Sequence, residues 1–170
     1  QFKNDSGESG PFTVYGATTG SVNGAFISMA LQLDLCDIRH VAESLGVERA
    51  DGTHLQTNPS SVLGTNEVTP LSMAAAYAGI AAGGLYCKPI IVDRVVDPTG
   101  RELPGQTKDC RQAIDPEVAA TAAYAMAGVM SGGTGTSSNP EDGVPIIGKT
   151  GTTDSSVQTW VITATTSAAT

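Results

Sequence analysis

The sequence predicts an α+β fold, an antiparallel sheet packed against a helical layer, and three observations carry that prediction. Apolar residues recur at helical spacing through the middle of the chain, from Phe26 to Leu45 and again from Leu71 to Ala78. Extended, β-branched runs cluster late, at Val144-Pro145-Ile146-Ile147 and Val157 to Thr163. Between those two runs stands Gly148-Lys149-Thr150-Gly151-Thr152-Thr153, a small polar stretch on what reads as a strand. No internal repeat is visible, so one sheet carrying Lys149 has to bury its face on the helices.

The elements follow in order. Gln1 to Gly10 is polar and reads as a surface segment with no signal-peptide pattern, so any targeting signal is expected outside this chain. Phe12 to Tyr15 is a short apolar run, and Gly16-Ala17-Thr18-Thr19-Gly20 reads as a loop. From Gly24 the chain turns helical, with Phe26, Ile27, Ala30, Leu31 and Leu33 on one face. A second helix carries Ile38, Val41, Ala42 and Leu45, with Asp34 or Asp37 as its cap and Gly46 at its end. Residues 48–64 read as loop, with turn signals at Asp51-Gly52 and Asn58-Pro59.

Thr69-Pro70 opens the clearest helix: threonine suits the N-cap and proline the first helical position. Its expected packing face is Leu71, Ala74, Ala75 and Ala78, and Gly83-Gly84 ends it. Ile90 to Val96 reads as a strand, and Asp97-Pro98-Thr99-Gly100 as a type I turn. Asp115-Pro116-Glu117 starts another helix, which Gly132-Gly133 ends. Thr134 to Asp142 is expected to be a flexible connection into the Lys149 strand.

Composition narrows the function. The 170 residues suffice for one domain with a sizeable core. Asp and Glu total 17 against 9 Lys and Arg, a net charge of -8, which argues against nucleic acid or an anionic membrane surface as the main partner. No apolar run approaches the ~20 residues of a membrane span. With three cysteines, two histidines and no C-x-x-C pair, no metal site is expected. Cys36, in a helical stretch, reads as a small buried apolar residue.

Lys149 and its neighbours suit a small anion: a cation, hydroxyl donors, and glycine that lets a ligand lie against the backbone. Two chemistries use such a string. Gly143 to Thr150 fits G-x-x-x-x-G-K-[ST], the phosphate-binding loop of nucleotide binders. That use needs a strand before Gly143 and a helix opening at Lys149. Turn residues, Ser137 to Asp142, precede Gly143, and a β-branched run follows Asp154, so the match reads as accidental. The other use is Lys-Thr-Gly on a strand edge beside a Ser-x-Asn loop. Ser21-Val22-Asn23, between a Gly/Thr loop and a helix, supplies that partner. Alone, the triplet would be an ordinary helix cap.

With both motifs in hand, the chain resembles the transpeptidase domain of class A (bifunctional) penicillin-binding proteins. Leu63-Gly64-Thr65-Asn66-Glu67-Val68-Thr69-Pro70-Leu71 with Met73 to Ala78 and Gly83-Gly84, Ser21-Val22-Asn23 with Ala25-Phe26, Gly133-Thr134-Gly135, and Gly148 to Thr153 with Trp160-Val161 all resemble blocks of that family. The resemblance covers residues 16–162. It implies a β-lactamase/transpeptidase-like fold, no cofactor, and a cell-envelope location outside the cytoplasmic membrane. A glycosyltransferase domain ahead of this one is also implied.

The chain departs from the family twice. No serine is followed three places later by lysine, so the Ser-x-x-Lys motif with the acylated serine is expected upstream of Gln1. Residues 1–170 would then be a partial domain, with the remainder of that domain as a partner. The tail, Ile162 to Thr170, also lacks a Gly-Tyr-Thr-Pro-like continuation, and a last strand and helix are expected to be missing. A non-catalytic penicillin-recognising sensor or scaffold is the alternative that the absent motif would suit.

The resemblance implies acyl transfer from the D-Ala-D-Ala end of a peptidoglycan stem peptide, with β-lactams as mimics. It assigns Ser21 to pass a proton to the leaving amine, Asn23 to hold the substrate amide and the first-motif lysine, and Lys149 to supply fixed positive charge. Thr150 and Thr152 would hydrogen-bond the terminal carboxylate, Gly151 would keep that edge bare, and the Thr152 N–H would donate to the oxyanion.

Cys87 and Cys110 are expected to form a disulfide. The turn Asp97 to Gly100 folds Pro89 to Val96 back, and the midpoint of the two cysteines falls inside it. Pro104-Gly105 is the weak point of the return arm. Two free thiols are the alternative, which an extracytoplasmic location disfavours.

Overall fold

Side-chain caps set where the helices begin. The computed structural model describes residues 3–4 and 7–170; Gln1, Phe2, Asp5 and Ser6, within the expected N-terminal surface segment, lie outside the described residues. Thr13 Oγ1 accepts from the Gly16 N–H at 3.0 Å and opens α1 (Val14–Thr19). The expected loop at Gly16 to Gly20 is thus mostly helix. Thr18 and Thr19 hydroxyls donate back to Val14 and Gly16 carbonyls, so residues of low helix propensity satisfy the turn locally. After Ser21, α2 (Asn23–Ala30) buries Ile27 and Ala30. Leu31 and Leu33, expected on its face, lie beyond its end and are exposed.

Asp34 accepts from the Cys36 N–H at 2.7 Å and caps α3 (Leu35–Ser44), which Leu45 and Gly46 close. Cys36 is exposed on this helix, a correction to the buried placement expected for it. The segment 48–64 is loop apart from an antiparallel bridge of Arg49 to Val68 and a 3-10 turn, Pro59–Leu63, that packs on α2.

Thr69 Oγ1 accepts from the Ser72 N–H and starts α4 (Pro70–Ala81) with Pro70 at its first position. Its buried face is Ser72, Ala76 and Gly79, not Leu71, Ala74, Ala75 and Ala78. Alanine surrounds this helix, so apolar periodicity cannot mark the inner side. What marks it is Ser72, whose hydroxyl donates to the Thr69 carbonyl at 3.0 Å.

β1 (Leu85–Cys87) pairs antiparallel with β4 (Cys110–Gln112), and β2 (Val95–Val96) with β3 (Glu102–Leu103). The strand expected over Ile90 to Val96 is only its last two residues. Pro104 has no N–H to offer a ladder, and Gln106 takes over: its Oε1 accepts from Ile91 N–H at 2.8 Å and Val92 N–H at 2.9 Å. The turn at Asp97 is as expected, closed by Gly100 N–H to the Asp97 carbonyl at 2.9 Å.

Cys87 and Cys110 are direct partners in the β1–β4 ladder and are disulfide-bonded. The bond links residues 23 apart, so its loss should cost about 2–4 kcal/mol, chiefly by freeing the unfolded chain. The double variant Cys87→Ser/Cys110→Ser should therefore melt several degrees lower. Thiol titration of denatured, unreduced protein should find Cys36 alone; reaction of all three cysteines would contradict the bridge.

Asp115 accepts from the Glu117 N–H and starts α5 (Pro116–Gly132). This helix is the centre of the molecule, burying Ala119, Met126, Gly128, Val129 and Met130. It packs on α1, on α4, and on β5 (Ile147–Thr152), which pairs antiparallel with β6 (Thr159–Ala164). The fold is α+β, with the β5–β6 ladder against the α4–α5 layer. The tail turns back on the outer edge of β6: Thr163 and Thr170 exchange backbone hydrogen bonds at 2.8 and 2.9 Å. No helix among the described residues is long and apolar enough to cross a membrane.

Candidate active site

α5 holds two elements side by side, and each presents one half of the site. One is α1, whose end leads into Ser21. The other is β5, whose middle residue pair is Lys149-Thr150. Gly148 is buried in β5, where a Cβ would press on Met130 Sδ and on the Ile162 carbonyl. Glycine there brings the strand down onto α5.

Ser21 has φ 56°, in the left-handed region that non-glycine residues seldom adopt. Such a conformation costs roughly 1–2 kcal/mol. It is held by the Ser21 N–H to Thr18 carbonyl bond at 3.3 Å and the Val22 N–H to Ala17 carbonyl bond at 2.9 Å. The strained turn places Ser21 Oγ 2.8 Å from Lys149 Nζ, across 128 residues of sequence. Lys149 donates this bond, and a second to its neighbour's carbonyl, Thr150 O, at 3.0 Å. Lys149 is half-buried, and burial holds its pKa below the ordinary lysine value of 10.5.

Thr150 Oγ1 lies 2.6 Å from Thr134 Oγ1. Thr134, expected at the start of a flexible connection, is pinned, its N–H donating to the Thr19 carbonyl at 3.1 Å. The neighbouring glycines are fixed too, with Gly133 and Gly135 N–H groups both on the Val129 carbonyl. The Gly-Thr-Gly sequence was the available signal, since two glycines around a hydroxyl mark a place where backbones approach closely.

The outer end of β5 opens to solvent at Gly151 and Thr152. Thr153 N–H points to the Gln158 carbonyl across the ladder. By strand alternation, the Thr152 and Thr150 N–H groups then face the other edge of β5, which pairs with no strand among the described residues. Asn23 is the first residue of α2, and its amide donates to the Lys3 carbonyl at 3.3 Å. Ser21, Lys149 and Thr150 are thus drawn into one cluster, Gly151 and Thr152 extend it along the strand edge, and Asn23 borders it from the helix.

Lys149 stands mid-strand with no helix opening behind it, which overturns the phosphate-loop reading of Gly143 to Thr150. The arrangement offers a partly desolvated cation, a serine hydroxyl accepting from it, and threonine hydroxyls beside backbone N–H groups on the strand edge away from β6. It can bind a carboxylate and move a proton through Ser21.

Comparison with known proteins identifies the family. Residues 1–162 match the family model described as penicillin binding protein transpeptidase domain. Penicillin-binding protein 1A of Aquifex aeolicus is 28% identical over 158 residues, 93% of this chain and 21% of that protein. Its namesake in Clostridium acetobutylicum is 32% identical over 160 residues, 92% of this chain and 19% of that one. Among solved structures, the penicillin-binding protein PonA1 of Mycobacterium tuberculosis superposes with TM-score 0.82 at 26% identity, covering 99% of this chain and 48% of that one. PonA1 in complex with penicillin V gives TM-score 0.80 at 28% identity over 98% of this chain and 48% of that one. The chain spans about a fifth of the length of the curated relatives it matches. The family match over residues 1–162 shows that the chain belongs to the penicillin-binding protein transpeptidase domain family.

Proposed function

We propose that residues 1–170 are part of a peptidoglycan D,D-transpeptidase domain, carrying its Ser-x-Asn and Lys-Thr-Gly motifs. The observation that carries the reading is the 2.8 Å bond between Lys149 Nζ and Ser21 Oγ, which joins the two motifs into one site. The acylated serine and its lysine come from a Ser-x-x-Lys motif outside these residues. The remainder of the domain therefore completes the site.

In this reaction the external serine oxygen attacks the carbonyl carbon between the two D-Ala residues, and its proton passes to the external lysine. The tetrahedral oxyanion accepts a bond from the Thr152 N–H, a contact worth about 2.7–4 kcal/mol in comparable sites. Ser21 gives its proton to the departing D-Ala nitrogen as the C–N bond breaks and takes one back from the external lysine, which returns to its neutral form, while Lys149 stays charged and orients the Ser21 hydroxyl. An acyl-serine ester remains, and the amine of a neighbouring strand takes the acyl group. Throughout, Lys149, Thr150 and Thr152 hold the substrate's terminal carboxylate, Gly151 leaves it room, and Asn23 holds the substrate amide. A β-lactam carboxylate would use the same groups, and the related PonA1 has been solved in complex with penicillin V. The Cys87–Cys110 disulfide fits a cell-envelope site outside the cytoplasmic membrane.

The complete protein should release D-Ala from a synthetic stem pentapeptide, and prior penicillin should block that release. Binding of penicillin without acylation or D-Ala release would instead indicate a non-catalytic sensor or scaffold.

Lys149 holds the carboxylate in its charged form. Burial lowers its pKa, so that form dominates below the shifted value and is lost as pH rises through it. The half-saturating concentration of benzylpenicillin should begin to climb below pH 10.5, the ordinary lysine value. Lys149→Arg, charged throughout, should move that climb upward. A climb at the same pH in the arginine variant would assign it to another group.

A further inference from the structure

We infer that Thr134 is a positioning residue that sets the hydroxyl of Thr150 for anion binding. It rests on the carboxylate-binding role proposed above for Thr150. Thr150 has one hydroxyl proton. To give that proton to a carboxylate it must take its own hydrogen bond from elsewhere or stand unaligned. Thr134 Oγ1, at 2.6 Å, is the group placed to provide it. With an anion bound, the chain of donation runs from Thr134 to Thr150 to the carboxylate. Accepting one bond strengthens the bond that the same hydroxyl donates.

The backbone around Thr134 is built to hold this hydroxyl still. Its own N–H is fixed to the Thr19 carbonyl at the end of α1, at 3.1 Å. Gly133 and Gly135 N–H groups, at 3.2 and 3.0 Å, are fixed to the Val129 carbonyl on α5. Glycine is required at 133, where a Cβ would meet the Thr19 carbonyl oxygen and, at 2.9 Å, Val129 Cα. Thr134 therefore touches α1, which leads to Ser21, and the Lys149 strand, while its neighbours Gly133 and Gly135 tie it to α5. A merely structural tie would need only the backbone bonds; the hydroxyl contact reaches the anion site itself.

The test uses the complete protein and benzylpenicillin, a β-lactam with a free carboxylate. Acylation rates are followed against concentration for Thr134→Val, which keeps the shape without the hydroxyl, and for Thr134→Ser, which keeps the hydroxyl. Thr134→Val should raise the half-saturating concentration about tenfold, the loss expected from one hydrogen bond in a charged network, while the limiting rate stays near wild type. Thr134→Ser should restore the wild-type value. In a Thr150→Val background, Thr134→Val should add no further loss, because its route to the ligand is gone. An unchanged half-saturation in Thr134→Val, or losses that multiply in the double variant, would overturn the inference while leaving the transpeptidase reading intact. Failure of the wild-type protein to acylate at all would overturn that reading and the role of Thr134 with it.

Discussion

Lys149→Ala in the complete protein should abolish β-lactam acylation and leave the fold intact. The lysine donates to Ser21 Oγ at 2.8 Å and stands beside the hydroxyls of the anion site. Removing one partner of a close charge pair typically costs 2–5 kcal/mol, so acylation should fall on the order of a thousandfold. Stability should change little, for a reason that differs from simple exposure. Lys149 is half-buried with a lowered pKa. Its charge is therefore held in the fold against a desolvation cost, which the alanine variant relieves. Lys149→Met, which keeps the stem, separates charge from packing and should be equally inactive. The measurements are stopped-flow acylation and a thermal melt. A methionine variant acylated at near wild-type rate would show that the ammonium is not needed.

The second large effect is expected at Gly133. This residue follows α5, and a Cβ there meets the Thr19 carbonyl oxygen and Val129 Cα, both backbone atoms that no rotamer change can move. Gly133→Ala must therefore push the end of α1 away from α5. Overpacking of this kind costs about 1–3 kcal/mol. Ser21 lies two residues beyond Thr19, so it retreats from Lys149 as α1 moves. Displacements near 1 Å in such sites cost on the order of a hundredfold in rate. Acylation, measured well below the melting temperature, should fall by that much while circular dichroism still shows folded protein. A variant with normal acylation would mean that α1 and α5 do not jointly set the Ser21–Lys149 distance.

How much was legible in the sequence depended on whether a local rule governed each element. Thr69, Asp34 and Asp115 announced their helices because capping is a matter of a few adjacent residues. The Asp97 turn and the Cys87–Cys110 pairing followed from turn chemistry and counting along two arms. α1 was not legible, since its glycine and threonines favour loop and its helix is stabilised by packing on α5. The packing face of α4 was hidden by alanine on every side, and Cys36 by assuming that cysteine goes inward. Within the site, the motif residues Ser21, Lys149 and Thr150 could be read as a set, and the structure brings them together. Thr134 could not, because its contact with Thr150 depends on how α1, α5 and β5 meet.

The proposed acyl-enzyme forms on a serine that is not among these residues. Ser21 lacks a lysine three residues on, and its oxygen accepts from Lys149, which suits the proposed role of a proton carrier held by a cation. The direct measurement is to label the complete protein with a fluorescent penicillin, digest it, and locate the modified residue by mass spectrometry. The label should sit on a serine outside residues 1–170, three places before a lysine, and residues 1–170 alone should remain unlabelled. Covalent label on Ser21, or on any residue of the isolated 170-residue chain, would contradict the account.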